Sequence, residues 1–446
     1  MEQKPMASDR RQFIKGAATI AAAGALGAGA LLKSCSRDRR KAVIPEFIDQ
    51  APEGKALKAG LIGCGDRGTG AAMNFLDAGN NLHITALGDV FRDKLESCRQ
   101  QLKQHRNAEI PDEQCFVGFD AYQKVIESDV DVVLLVAPPF FRPSHFDAAV
   151  RARKHVFMEK PVAVDPVGAR AIMASARMAD AAGLKVVAGT QRRHQRDYLT
   201  TYAHIKSGII GDIVGANCYW NQSRSWHVNR QAGWDDMTAM LRDWINWRWL
   251  AGDHIVEQHM HNIDVINWFS GKVPVRALGF GARHRRLTGD IYDFFSVDFV
   301  YDDNTHMHSM CRQIDGCANN VSEYIVGTKG ASNCQNEIVN HRGETIWSYE
   351  YPRLEHGQPS QLAMKSPYEQ EIIHLVEAIR SNKPLNEAET CAITTIVAIM
   401  GRISAYTGRE VTYEEVMNSS LRLGPEKLAF GPVDMNLQVP VPGTAP

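Results

Sequence analysis

The sequence predicts an α/β chain of two domains: a parallel sheet wound by helices, then an α/β domain built on a large, mostly antiparallel sheet. Three observations predict it. Between residues 56 and 190 short apolar runs alternate with helical segments, the pattern of a doubly wound sheet. Within it the run VDVVLLVA at 130–137 is apolar without alternation, as a strand covered on both faces must be. Beyond residue 275 four strand-like segments follow one another with only tight turns between them, which is how an antiparallel sheet reads.

The first domain is organised around residues 58–89. An apolar run at 59–62 ends in Gly63-Cys64-Gly65-Asp66-Arg67-Gly68, a helical segment covers 69–77, and a second apolar run at 83–87 ends at Asp89. Strand, glycine turn, helix, strand and acid in that order suit a dinucleotide. Gly63 permits the tight turn, Gly65 lets backbone approach a pyrophosphate, and Gly68 lets helix and strand pack closely. The helix start offers free N–H groups to phosphate, and Asp89 is spaced to accept from a ribose diol. A carboxylate there favours NAD over NADP, with Arg92 close behind keeping NADP open. Helices are expected at 92–104, 122–127, 146–153 and 165–182, the last capped by Asp165. Strands are expected at 116–119, 130–137, 155–158 and 186–189. Ligands of such a sheet lie at the carboxyl ends of its strands, where Pro138, Glu159-Lys160-Pro161 and Gln191 fall.

The second domain opens with a helix to 207 and a strand at 213–220. Residues 221–250 read as an aromatic-rich loop with Trp226, Trp234, Trp244, Trp247 and Trp249, which either stack on sugar rings or pack on one another. A helical segment at 252–268 carries several histidines. Strands follow at 275–283, 292–301, 305–313 and 320–326, then helices at 367–380 and 387–406 and a proline-rich surface tail after 424. The expected domains are 56–190 and 191–415, preceded by a linker at 41–55 and followed by the tail at 416–446.

The 446-residue chain has a net charge of −1, which argues against general nucleic-acid binding. Its nine cysteines form no CxxC pair and read as scattered thiols. Nothing after residue 40 reads as apolar for long enough to span a membrane. Asp9-Arg10-Arg11-Gln12-Phe13-Ile14-Lys15 before an Ala/Gly-rich stretch looks like a twin-arginine export signal, and Cys35 resembles a lipoprotein cleavage site with Lys33 a poor fit. The expectation is a periplasmic or membrane-anchored protein. Exported, it would hold its cofactor tightly and regenerate it within its own turnover or pass electrons to a partner.

Lys160, at a strand end beside the cofactor cleft, can hydrogen-bond a substrate hydroxyl, or it is a surface lysine paired with Glu159. The segment 252–264 is the densest polar cluster. On a continuous helix Glu257 and His261 share a face, and Asp264 lies one turn beyond, placed to orient His261 as a base. His254, Glu257 and His261 also have metal-ligand spacing, although no metal is expected. Arg192, Arg193 and His194 either reach the cleft or form a solvated basic turn.

Together these residues resemble the glucose–fructose oxidoreductase/inositol dehydrogenase family, Gfo/Idh/MocA, over residues 56–415. The glycine turn and Asp89 match its nucleotide site, Glu159-Lys160-Pro161 its Glu-Lys-Pro signature, and Glu257-x-x-x-His261-x-x-Asp264 its substrate helix, with Glu257 for the usual aspartate and His259 for the usual glycine. Gly401-Arg402 to Tyr406-Thr407-Gly408 resembles its last helix. The resemblance implies a Rossmann domain and a second domain that often oligomerises, as a dimer or tetramer, through an open sheet face. It implies Lys160 and His261 as catalytic residues and Glu257, Asp264, Arg192 and His259 as substrate contacts. Gly63, Gly65, Asp66, Arg67, Gly68, Asp89, Pro138, Glu159, Lys160 and Gln191 would hold NAD. The activity implied is hydride transfer at a secondary hydroxyl of a sugar or glycoside, such as C3. The alternatives are a redox-neutral NAD-dependent glycosidase and a non-catalytic NAD-bound sugar sensor.

Overall fold

A computed structural model describes residues 41–354 and 356–444. The paired arginines and Cys35 lie outside the described residues. The first domain runs β1 (Leu57–Ile62), α1 (Asp66–Asp77), β2 (Leu82–Asp89), α2 (Arg92–Arg106), β3 (Cys115–Val117), α3 (Ala121–Glu127), β4 (Val132–Leu135), α4 (Arg142–Arg151), β5 (His155–Met158), α5 (Pro166–Ala181) and β6 (Val186–Ala188). Its strands pair in the order β3-β2-β1-β4-β5-β6, and every pair is parallel. The chain reverses its winding between β1 and β4, so a crevice opens there at the carboxyl ends. Val132 to Leu135 are all 0% exposed, which explains the unbroken apolar run. Asp165 caps α5, its Oδ1 accepting from Gly168 N at 2.7 Å.

The second domain runs α6 (Arg196–Lys206), β7 (Ile213–Gln222), α7 (Asp236–Arg242), α8 (Arg248–Ala251), α9 (His254–Glu257), α10 (Met260–Ser270), β8 (Arg276–Ala282), β9 (Phe294–Val300), β10 (His306–Gln313) and β11 (Asn320–Gly327). Then come β12 (Gly330–Ser332), β13 (Glu337–Asn340), β14 (Thr345–Ser348), α11 (Pro367–Ser381), α12 (Ala388–Thr407), β15 (Val411–Thr412) and α13 (Tyr413–Asn418). The nine-stranded sheet has the order β14-β13-β12-β11-β7-β10-β9-β8-β15, antiparallel but for the β10–β7 pair. Residues alternate along β8 to β11. Ala277, Val297, Met307 and Ile325 face the helices, while Leu278, Phe280 and Tyr324 stand exposed on the open face.

Four expectations need correction. Residues 221–250 are not one loop: α7 and α8 lie within them, α7 capped by Asp235 Oδ1 accepting from Thr238 N at 2.7 Å. The segment 252–268 is not one helix. His259 N bonds His254 O, five residues back, at 3.0 Å, so α9 ends at Glu257 and α10 begins at Met260. The break is held from outside, because Gln258 Oε1 accepts from Gln222 and Gln313 on the sheet at 2.9 and 2.7 Å. The short strands β12 to β14 extend the sheet where no strand was expected. Finally, α12 is long and apolar enough to cross a membrane by length and composition, but 78% of its apolar 18-residue stretch is buried inside the protein.

The late helices return to the first domain. From α11, Ile372, Ile373, Leu375 and Val376 join the core formed by Ala71, Phe75 and Leu61. Helix α12 packs between β8 and α5. Gly401 is required there, since a Cβ would lie 2.8 Å from Phe299 Cζ. Phe299 is 0% exposed and ties β9 to this helix. Replacing Phe299 with alanine should lower stability by about 3–5 kcal/mol, read as an earlier midpoint in chemical denaturation followed by tryptophan fluorescence.

Candidate active site

Two adjoining cavities sit over the crevice. The larger, about 900 Å³, is lined by Gly63, Gly65, Asp66, Arg67, Gly68, Asp89 and Pro138 among others. The smaller, about 250 Å³, is lined by Glu159, Lys160 and Gln191 from strand ends of the first domain and by Trp220, Glu257, Gln258 and His261 from the second. Arg67, Val136, Ala137 and Trp244 border both.

The large cavity suits a dinucleotide. A Cβ on Gly65 would meet nothing within 4 Å and so would stand in the space a pyrophosphate needs. A Cβ on Gly68 would lie 1.8 Å from Gly63 O, and one on Gly63, at φ +98°, 2.5 Å from Ala137 N. These two glycines are imposed by close packing and by a left-handed backbone. Helix α1 begins at Asp66, three residues earlier than expected, which sets its free N–H groups under that space. Asp89 accepts from Cys64 N at 2.7 Å and Phe91 N at 2.8 Å. It thus braces the turn and keeps further lone pairs toward the cavity. Burial raises its pKa. Arg67 does not point along the turn. Its guanidinium donates to Glu159 and, at 3.1 Å, to Glu371, beneath the Tyr368 ring at 4.9 Å.

In the small cavity Lys160 Nζ donates to the carbonyl oxygen of Glu257 and, at 2.9 Å, to its Oε1. A lysine ammonium has three N–H donors, so one is left for a ligand. Glu257 Oε2 and Gln191 Oε1 are buried and accept from no described group. The His261 ring stacks on Trp220 at 5.7 Å between centroids. Its pKa is held well below the ordinary value, first by burial, then by Lys160 and Arg192. Its imidazole is therefore neutral at neutral pH and able to accept a proton.

Three expected contacts lie elsewhere. Asp264 does not touch His261. Its carboxylate is engaged instead by a bidentate pair from Arg193 at 2.7 and 2.9 Å and a bond from Thr394 of α12 at 2.8 Å. His259 is 0% exposed, bonds Ser309 Oγ at 2.6 Å, and has its pKa lowered by burial to about 3. Arg192 pairs with Glu323 and lies 5.6 Å over the Trp220 ring, so it supports the wall behind His261 rather than lining the cavity. His254 pairs with Asp253 at 3.0 Å, apart from Glu257 and His261. Among the described residues no three His, Cys, Asp or Glu side chains are grouped to hold a metal. Of the five tryptophans, Trp226, Trp234 and Trp244 face the cavities, whereas Trp249 is 1% exposed against Phe140 and Trp247 packs beside it.

Residues 57–188 match the oxidoreductase family with an NAD-binding Rossmann fold, and residues 198–332 match the GFO/IDH/MocA C-terminal domain. The chain belongs to the Gfo/Idh/MocA family. Its first domain is that family's NAD-binding Rossmann domain. Among curated members it is 25% identical over 241 residues to an inositol 2-dehydrogenase of Acidothermus cellulolyticus, covering 54% of this chain and 61% of that protein. It is 26% identical over 238 residues to a glycosyl hydrolase family 109 protein of Shewanella sp. (strain ANA-3), covering 50% and 49%. The chain thus spans about half to three fifths of the length of these relatives. A solved structure of scyllo-inositol dehydrogenase from Lactobacillus casei, with NAD(H) and scyllo-inositol bound, superposes with a TM-score of 0.60. Identity is 21%, and the match covers 80% of this chain and 99% of that one. At that identity the likeness is one of fold.

Sequence reasoning passed over Trp220, Gln258, Tyr368 and Arg142, all of which line the small cavity. Gln258 lay inside the polar cluster and was given no role. Trp220 was read only as part of the strand that opens the second domain. Tyr368 lies on α11, and nothing local in its sequence says that this helix returns to the cleft.

Gly65 offers a clean test of the nucleotide site. Because its Cβ position is open, Gly65→Val should fold with an unchanged denaturation midpoint yet lose NAD, seen by quantifying nucleotide released on denaturation.

Proposed function

We propose that this chain is an NAD-dependent oxidoreductase that moves a hydride between the nicotinamide ring and a secondary hydroxyl of a sugar or glycoside, with C3 as the candidate position. The observation that carries the reading is the convergence of Lys160, Glu257 and a neutral His261 on a small cavity that shares a wall with the nucleotide cavity. Bound NAD would supply the hydride acceptor, held by the Gly63–Gly68 turn, the start of α1 and Asp89. Lys160 donates its remaining N–H to the substrate oxygen and stabilises the negative charge that grows there as the C–H bond breaks. His261 accepts the hydroxyl proton at a ring nitrogen, so the O–H pair forms the new C=O bond. Glu257 fixes Lys160 and offers Oε2 to a neighbouring hydroxyl. Trp220 and Trp244 exclude water and give the sugar ring apolar faces.

The resemblance to glycosyl hydrolase family 109 proteins favours one second reading, a redox-neutral glycosidase that oxidises its sugar transiently and releases the aglycone. Incubating the native NAD-loaded protein with glycosides separates the two. Net NADH or a keto product without free sugar supports the dehydrogenase. Free sugar without net NADH replaces it with the glycosidase.

His261→Ala should lower kcat by about 10²–10⁴-fold while leaving NAD content unchanged, and Lys160→Met should lower kcat by a similar factor; full activity in either variant would remove that residue from the mechanism. Because burial and neighbouring cations depress the His261 pKa, the base stays unprotonated on acidification past its ordinary value. The acid limb of kcat/KM should therefore fall below pH 6.5. A limb at or above that pH would contradict the role.

A further inference from the structure

Arg142 is the first residue of α4 and lines the small cavity. It is 3% exposed, yet among the described residues no group accepts from its Nε or Nη1. The other two cations of this cavity are matched: Arg67 is shared by Glu159 and Glu371, and Lys160 is held by Glu257. Glu159 and Glu257 act on Arg142 only at a distance, without a hydrogen bond. Burial lowers its pKa to about 10, which still leaves it charged at neutral pH. It also occupies the first turn of a ten-residue helix, where the backbone dipole opposes a positive side chain. A buried, unpaired guanidinium at the wrong end of a helix is costly for the free protein. Its planar donors suit a carboxylate, and the helix start adds to the same attraction.

The cavity wall has complementary needs. Glu257 Oε2 and Gln191 Oε1 are acceptors without donors, so the ligand must bring hydroxyl groups as well. A neutral polyol would satisfy those acceptors and leave Arg142 unneutralised. We propose that Arg142 is a substrate-binding residue that takes the carboxylate of a sugar acid, so that the preferred substrate is a uronic-acid-type sugar or its glycoside. This rests on the sugar-oxidising reading above and adds its substrate class.

The test uses the full chain loaded with NAD. D-Glucuronate, D-galacturonate and their methyl glycosides are each compared with the neutral parent sugar and with the uncharged uronamide. Dissociation constants come from calorimetry and NADH formation from absorbance. The wild type should bind at least one acid about tenfold or more tightly than both of its neutral counterparts. Arg142→Met should close that gap, the acid losing more than the neutral sugars, and Arg142→Lys should keep part of it. The proposal is overturned if no acid outbinds its neutral counterparts in the wild type, absence of binding included, or if Arg142→Met keeps the gap. Oxidation of neutral sugars alongside the first of those results leaves the dehydrogenase reading standing. A chain that holds no NAD removes that reading and this proposal together.

Discussion

The site depends on the grip of Lys160 on Glu257. One ammonium at the end of β5 holds both the backbone carbonyl and the carboxylate of the residue that ends α9. The contact fastens the carboxyl edge of the parallel sheet to the interruption between α9 and α10. Most other polar contacts nearby serve the same alignment. Arg193 clamps Asp264 from the end of β6, and Arg67 joins the glycine turn to β5 through Glu159 and to α11 through Glu371. Such pairs are held in place by their neighbours, and removing one partner leaves an uncompensated buried charge, a loss of about 3–5 kcal/mol. They also set the proton affinity of the site. His261 is neutral because it is dry and because Lys160 and Arg192 stand near it. The positioning of the lysine and the basicity of the histidine are thus one electrostatic arrangement.

The first domain was legible in the sequence because its signals are local. The glycine turn, the unbroken apolar strand and the Asp165 cap each act within a few residues, and element boundaries there differ from expectation by about one turn of helix or less. The site was legible in its principal residues and not in its logic. Glu257 and His261 do face one cavity, but through a helix break rather than a shared helical face, and Asp264 is drawn away to Arg193. That break is imposed by Gln222 and Gln313, residues on strands that no spacing rule connects to Gln258. Arg192 was read from its place after the last parallel strand, and its ion pair with Glu323 holds it behind the cavity wall; His259 is placed by burial against Ser309. The short strands β12 to β14 were missed because runs of three or four residues offer too few alternations to read.

Arg142 shows the limit of motif reading from another side. In the sequence it is one arginine after two phenylalanines, with nothing to distinguish it from the surface arginines at 151 and 153. Only the accounting of buried donors and acceptors sets it apart, since the other two cations of the small cavity are paired with carboxylates and it is not.

Helix α11 carries a consequence for biosynthesis. It covers α1 with Ile372, Ile373, Leu375 and Val376, although it is translated long after β6. At ordinary elongation rates of about 5–20 residues per second, the ribosome needs on the order of ten to forty seconds to add the intervening chain. Throughout that interval the nascent Rossmann domain presents a bare apolar face and an Arg67 without Glu371. The part of the protein made first is therefore covered by a helix made late, and the last third of the chain acts as its built-in cover.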